Sequence, residues 1–542
     1  MKPFPSLATL MIPGALFMLA GCSTLQPGDE PEPSAAEVDV DQLEPMPAAT
    51  EITLDPALAA GIVEPPPEEP EDAEGDLWER MRAGFQLDLD QDNRRIRTQR
   101  EWYANNPAYL DRVSERGKRY LHYILDELEE ADLPLELALL PVVESAFDPF
   151  AYSHGQASGP WQFIGSTGRN FGMDQDYWQD GRRDIIRSTE GAVEYLELLS
   201  ERFDGDWELA LASYNVGAGH VSRAVRRNRN AGQGTDYWSL QLPRETMAYV
   251  PKLIALAQII ADPEAHDVEL KSIPDEPYFE IVEMEHQIDM KQAGELADVS
   301  VEELYMLNAH INQWATPPDG PHRLLVPVDH AEDFRERLAE VPEEERMHWE
   351  EYIVQSGDTL EAIAQRYNTT PEMIRGTNDL NSNTIVVGDT LLLPAPAGEG
   401  EDYSLSEEER LAASQNSGSG QRIRHRVQSG ESLWSIARKY DTSVDQVAST
   451  NNMAPDDVLR SGQEVVVRTS NAARGGQGTI EGQPDMIRRI QYAVRTGDSL
   501  HRIANRFNVS VSDIQNWNGI DGNSYLHPGD RLELYVDIRE AR

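Results

Sequence analysis

Leu139-Leu140-Pro141-Val142-Val143-Glu144-Ser145-Ala146-Phe147 is an apolar run with one carboxylate near its end. A carboxylate that closes such a run loses hydration, which disfavours its ionised form and raises its pKa. A general acid working at neutral pH needs that property. Taken alone, Glu144 reads equally well as a helix-end carboxylate bonded to backbone amides. The pattern on either side is helical. Lys118–Glu130, Thr189–Phe203, Trp207–Asn215 and Glu245–Ile260 set apolar residues three and four apart, with no comparable series of alternating strands. This spacing predicts an all-α globular domain over residues 76–265, with a helical lead-in around Leu77–Leu110.

Three further stretches of this domain carry chemistry. Ser158-Gly159-Pro160-Trp161-Gln162-Phe163-Ile164 offers a glycine for close backbone approach, an apolar face and an amide, all suited to a sugar. It reads equally as a turn followed by a core aromatic. Ala210-Leu211-Ala212-Ser213-Tyr214-Asn215-Val216-Gly217 closes a helix, and its bland reading is a C-cap. Glu245-Thr246-Met247-Ala248-Tyr249-Val250 places a tyrosine hydroxyl either toward a cleft or within the core.

Together, in this order, Glu-Ser, Gly-x-x-Gln, Ser-Tyr-Asn-x-Gly and Glu-Thr-x-x-Tyr-Val resemble the family 1 lytic transglycosylases (the SLT domain of glycoside hydrolase family 23, lysozyme-like fold). The resemblance runs densely over Leu110–Ile260. One departure is Pro160, where many relatives carry Leu or Ile; proline has no amide hydrogen, so a contact there comes from its carbonyl. The resemblance implies cleavage of the MurNAc–β-1,4–GlcNAc bond of peptidoglycan without consuming water, leaving 1,6-anhydroMurNAc ends. It makes Glu144 the catalytic acid and base, and Ser145, Gly159, Gln162, Tyr214, Asn215 and Tyr249 the substrate-binding set. Trp161, Tyr214 and Tyr249 are candidate stacking surfaces for sugar. Ordinary glycosidases use two carboxylates; Asp148 is near in sequence, but no Asp in these motifs is an obvious partner. One carboxylate suffices where the substrate supplies the nucleophile. No cofactor is expected, and no metal, because Cys and His show no ligand spacing and His154, His220 and His310 are scattered. The enzymatic rival is a muramidase hydrolysing the same bond; the other is a non-catalytic peptidoglycan-binding lipoprotein.

The chain begins with Met1-Lys2, a mostly apolar run from about Leu7 to Leu19, and Leu19-Ala20-Gly21-Cys22. That run is short for a bilayer span and fits a signal peptide over residues 1–21. The chain's one cysteine follows it, which resembles the bacterial lipobox and implies a lipid anchor at Cys22. Ser23 in the next position implies the outer membrane, facing the periplasm. Residues 22–75 are rich in Glu, Asp, Pro and Ala, and such a stretch buries too little to fold. It is expected to be a disordered acidic tether, spanning roughly 40 Å as a coil.

Beyond the helical domain one unit recurs three times. Tyr352-Ile-Val-Gln-Ser-Gly357-Asp358-Thr359-Leu, His425-Arg-Val-Gln-Ser-Gly430-Glu431-Ser432-Leu and Tyr492-Ala-Val-Arg-Thr-Gly497-Asp498-Ser499-Leu each lead to Ile-Ala-x-x-(Tyr/Phe). Asn378, Asn451 and Asn518 each stand 21 residues after the glycine. The pattern predicts a strand, a glycine turn, a helix capped by Thr359, Ser432 or Ser499, a second helix and a return strand. These small α+β (βααβ) units, at 350–394, 424–468 and 490–536, resemble LysM domains, which implies binding of N-acetylglucosamine-containing glycans. The tentative contacts are Gly357, Asp358 and Thr359, then Gly430, Glu431 and Ser432, then Gly497, Asp498 and Ser499. Residues 395–423 and 469–489 read as flexible linkers. Residues 275–330 have the order helix, helix, Asn308, strand without the glycine turn, and are either a degenerate LysM-like module or an unrelated α+β extension.

The 542 residues form several domains, since single cores seldom grow beyond about 250–300 residues. With 95 acidic against 47 basic residues the formal charge is −48, which argues against nucleic acid as a partner. An anionic wall would then be recognised through hydrogen bonds and stacking rather than attraction.

Overall fold

A computed structural model describes residues 52–53, 75–153, 156–342, 345–367, 369–378, 380–417, 421–440, 442–453, 455, 457–469, 487–494, 500, 503, 514 and 531–537. The signal peptide, Cys22 and nearly all of the acidic leader lie outside these residues. So does the glycine turn of the third repeat, with Gly497, Asp498 and Ser499.

The helical lead-in consists of Leu77–Ala83, Arg94–Ala104 and Pro107–Gly117, N-capped in the first two cases by the side chains of Asp76 and Asn93. Leu121–Glu130 follows, then a 3-10 turn at Leu135–Leu139 that runs into the short helix Leu140–Ser145. Ile185–Arg202, Trp207–Val216, Ala218–Asn230 and Thr246–Ala261 complete the helical set. Thr246–Ala261 is buried along most of its length, from Tyr249 to Ile260, and forms the spine of the core. A helix apolar all round belongs inside such a bundle.

The expectation of an all-α domain needs one correction. Tyr152–Ser153, Ala157–Ser158 and Phe163–Ile164 form a small antiparallel sheet, with Tyr152 opposite Ser158 and Ser158 opposite Phe163. Ile52–Thr53 of the leader pairs with its edge, so these two residues are held against the domain and correct the expectation of a tether disordered throughout 22–75. Strands of two residues are too short for an alternating pattern to be read. The turn between the last two is made by left-handed backbone at Gly159 (φ 84°) and Gln162 (φ 52°). At Gly159 an added Cβ would stand 2.0 Å from the carbonyl oxygen of Arg182, so only glycine fits.

Residues 278 onward settle the choice left open for the segment after the helical domain. Phe279–Glu283 pairs antiparallel with Arg323–Pro327, and Met290–Ala297 and Val301–Leu307 lie between them in sequence. A further helix, Val328–Glu340, extends past the boundary expected at residue 330. Asn308 donates to the carbonyls of Leu304 and Leu325 and accepts from the amide of Leu325. Asn378 makes the same three bonds with Ile374 and Leu392, and Asn451 with Val447 and Val466. In all three units one amide side chain closes the second helix onto the return strand. Asn308 is fully buried. Asn308→Ala strands the amide of Leu325 and should cost about 1–3 kcal/mol, read as a lowered melting temperature. An unchanged melting temperature would deny the amide this role.

The first repeat has strands His348–Ile353 and Thr390–Ala395 around helices Leu360–Arg366 and Pro371–Thr377. The second has Gln421–Arg426 and Glu464–Thr469 around Leu433–Lys439 and Val444–Thr450. Thr359 and Ser432 cap the first helices as the pattern predicted. In the third, Ile487–Ala493 pairs with Arg531–Asp537.

Residues 395–423 are not the flexible linker their composition implied. They contain a 3-10 turn at Gly400–Tyr403 and the helix Glu407–Asn416. Ser406 caps that helix, and Glu407, Glu408 and Glu409 favour its positive end. Tyr403 and Leu405 are buried in the core that surrounds Tyr305, and the Tyr403 hydroxyl reaches the Asp289 carboxylate at 2.8 Å. Two buried side chains and one cap outweigh a polar composition.

Candidate active site

Glu144 sits in the last turn of Leu140–Ser145, where Ala146 and Phe147 turn left-handed (φ 51° and 56°) and end the helix. The carboxyl is fully buried. Its Oε1 accepts a short hydrogen bond from the Tyr249 hydroxyl, and its Oε2 has no partner among the described residues. Burial pushes the Glu144 pKa up to about 8, against the pull of Tyr249 and of the nearby Lys252. Burial also raises the Tyr249 phenol well above its ordinary value, so it remains a donor. The arrangement is a buried carboxyl that keeps its proton at neutral pH, with one oxygen held and the other unpaired among the described residues.

The surrounding motif residues converge, mostly as supports. The Ser145 hydroxyl lies 2.9 Å from the carbonyls of Pro141 and Pro160, so Pro160 contributes its carbonyl, as proline must. Gln162 donates to the carbonyls of Ala151 and Gly159 and holds the sheet turn; its Oε1 is buried without a partner among the described residues. Tyr214 donates to the carbonyl of Trp161 at 2.9 Å. Asn215 accepts from the Thr246 hydroxyl at 2.7 Å, which joins the third motif to the fourth. Thus Glu144, Ser145, Gly159, Gln162, Tyr214, Asn215 and Tyr249 belong to one hydrogen-bonded neighbourhood drawn from four parts of the chain. Trp161, Tyr214 and Tyr249 are buried and are core rings rather than exposed stacking faces, which corrects that expectation. Asp148 accepts from the amide of Phe150 in its own turn and faces Arg116 at 3.7 Å.

Sequence reasoning missed Lys252, and gave Thr246 of the fourth motif no role of its own. Lys252 is one turn from Tyr249 on the same helix, a spacing that was visible, but nothing marked its charge as acting on Glu144.

The family model described as Transglycosylase SLT domain matches residues 125–236. The model of the lytic transglycosylase MltD LysM-like domain matches 278–343, and the LysM domain matches 352–394, 425–468 and 492–534. Membrane-bound lytic murein transglycosylase D of Escherichia coli strain K12 is 35% identical over 400 residues, covering 71% of this chain and 85% of the relative. The chain belongs to the lytic murein transglycosylase D family. A putative tributyltin chloride resistance protein of Alteromonas is 46% identical over 131 residues, covering 23% of this chain and 63% of that protein.

A member of the lytic murein transglycosylase D family is a lytic transglycosylase of peptidoglycan, carrying LysM repeats that bind the same polymer. Among its described residues no helix is long and apolar enough to cross a membrane. In the LysM turns of this family member, Asp358 accepts from the Tyr352 hydroxyl and the Gln355 amide. Glu431 accepts from the Gln428 amide and lies 2.7 Å from His425 Nε2. Both carboxylates lock their glycine turn to the first strand. Gly357 (φ 98°) and Gly430 (φ 86°) supply the left-handed corner, and space beside both is open.

Tyr249→Phe removes the hydrogen bond made to the Glu144 carboxyl. That bond favours the ionised form, so its loss raises the Glu144 pKa further. The alkaline limb of the pH–rate profile should move to higher pH, and turnover should fall by about tenfold as the carboxylate loses its orienting donor. A profile identical to that of the parent would deny Tyr249 this role.

Proposed function

We propose that Glu144 is both the acid and the base of the transglycosylation, and that the saccharide supplies the nucleophile. Glu144 donates its proton to the glycosidic oxygen between MurNAc and GlcNAc, and the C1–O bond breaks. The MurNAc acetamido oxygen bonds to C1 in its place. Glu144, now a carboxylate, takes the proton of the C6 hydroxyl. That oxygen attacks C1, expels the acetamido oxygen and closes the 1,6-anhydro ring. No water enters. The observation that carries this reading is one buried carboxyl with a raised pKa, an oriented Oε1 and an unpartnered Oε2. Asp148 is engaged in its own turn, which agrees with a single-carboxylate scheme. Ser145, Gly159, Gln162 and Tyr214 act by holding the sheet turn against the Glu144 helix, and Asn215 and Thr246 by fixing the helix that bears Tyr249.

Digestion of purified sacculi tests the chemistry. Products lighter by one water than hydrolytic muropeptides, without reducing ends, are expected; reducing ends would make the protein a muramidase. The acid form must be present, so kcat/KM should fall as pH rises through about 8. A profile flat from pH 6 to about 9 would remove Glu144 as the acid.

The layout proposed with this reading is a signal peptide to residue 21, a lipid anchor at Cys22, a leader to 75, the catalytic domain, a LysM-like module and three LysM repeats. The anchor places the enzyme at the outer membrane, facing the periplasm. Cys22→Ser should release it into the soluble periplasmic fraction. In the LysM-like module, Ala397 and Tyr403 bond to Asp289, which caps the first helix. The chain itself thus covers the corner that is open in the repeats, and this module serves as structure.

A further inference from the structure

A cavity of about 240 Å³ lies between the small catalytic sheet, the helix Glu407–Asn416 and the second LysM repeat. Tyr152 and Ser158 of the sheet form one wall, and Ser449, Asn452 and Met453 of the repeat form the opposite one. The two sides are joined around it. Gln156 donates to Asp457 at 2.5 Å, and Ser414 donates to Asn452 at 2.6 Å.

The lining is cationic in a chain of formal charge −48. Arg182, Arg183 and Arg410 line it together with one carboxylate, Glu407, which is a turn from Arg410 on the same helix, and Asp180 pairs with the first two. Arg182 is fully engaged with Asp180 and with the carbonyls of Gln156 and Phe163. Arg410 lies 4.3 Å from the centre of the Phe150 ring. Arg183 differs from both. It is 7% exposed, bonds Asn312 through one terminal nitrogen at 2.7 Å, and its Nε has no partner among the described residues. A buried N–H of a charged group left unbonded is costly, and such sites persist where something else supplies the acceptor.

We propose that this cavity binds a carboxylate of the peptidoglycan, received by Arg183 and Arg410. The proposal rests on the peptidoglycan reading above. A carboxylate matches guanidinium donors in geometry and charge. The polymer offers it from two sources, the lactyl group of MurNAc and the free carboxyl of a peptide stem. Because the sheet wall of the cavity also carries the Gly159–Gln162 turn packed on Ser145, a strand held here is held in register with Glu144. The second LysM repeat thereby completes a substrate site rather than acting only as a distant tether.

The test uses the full chain with Glu144→Gln, which binds without turnover. Affinity is measured for chitotetraose, which has no carboxylate, for denuded glycan fragments, which keep the lactyl carboxyl, and for fragments with peptide stems. Two variants perturb the cavity: Arg183→Gln removes the donor charge, and Ser449→Trp fills the space from the half-exposed repeat side. Both should weaken binding of carboxylate-bearing fragments by about tenfold, the scale of one charge-assisted bond, and leave chitotetraose within about twofold. Loss with both kinds of fragment assigns the lactyl carboxyl; loss with stem-bearing fragments alone assigns the stem. Equal affinity of parent and both variants for every ligand overturns the proposal, as does an equal loss for chitotetraose. Anhydro-product release by the unsubstituted enzyme tests the function separately, so failure of one is distinguishable from failure of the other.

Discussion

Glu144→Gln is expected to lower muropeptide release by at least two orders of magnitude, the scale on which a positioned general acid contributes. The substitution keeps the volume of the side chain and lets Tyr249 still donate to an amide oxygen, so the loss isolates the proton. A control comes from stability. The carboxyl has its pKa raised in the fold to about 8, against 4.5 as its ordinary value. Between those values the unfolded chain has released the proton while the folded chain still holds it. Stability therefore falls as pH rises through that window. Glutamine does not titrate, so the variant should gain in melting temperature over the parent between about pH 5 and 8. Lost activity in a protein that melts higher at pH 8 locates the effect in the chemistry. A variant retaining more than a tenth of parental release would refute Glu144 as the catalyst, and a melting temperature that follows the parent at every pH would deny the raised pKa.

The parts of this site visible in sequence were those whose residue types are rare together. Glu144 at the end of an apolar run, the Asn-x-Gly helix end and a tyrosine one helical turn inside Thr246–Ala261 each had a bland alternative, and it was their co-occurrence in order that pointed to the family. The repeats were legible for a similar reason, because Asn378 and Asn451 recur at one distance from a glycine and each has three bonds to make. What sequence could not supply was depth. Trp161 and Tyr214 have the chemistry of sugar-stacking rings, and whether a ring faces a groove or a core is decided by packing between distant segments. The helix at Glu407–Asn416 was hidden because its composition is polar; its order comes from Tyr403 and Leu405, which enter the core around Tyr305, far away in sequence. The small sheet was hidden by its brevity. In each case the missing information lay in long-range contact rather than in local preference.

Arg119→Met tests another contact of long range, and its expected cost is about 3–5 kcal/mol. Arg119 stands at the entrance to Leu121–Glu130 in the catalytic domain, and Glu303 lies in the first turns of Val301–Leu307 in the LysM-like module. The guanidinium donates to both carboxylate oxygens, at 2.8 and 2.5 Å, with side-chain exposures of 4% and 11%. Tyr278 also donates to Glu303 at 2.8 Å, and the neighbouring Tyr120 donates to the carbonyl of Met306 at 2.6 Å. An exposed pair of this kind would contribute at most about 1 kcal/mol. Here the loss is larger because a carboxylate is left buried with one neutral donor. The double variant Arg119→Met, Glu303→Gln removes that stranded charge while keeping an acceptor for Tyr278, so it should recover at least half of the lost stability. Because Phe150 and Trp178 of the catalytic domain also lie in the core of the LysM-like module, the two regions should melt in one transition in every variant. A loss below about 1 kcal/mol in the single variant, or two separate transitions in the parent, would mean that the module is carried by the catalytic domain without supporting it.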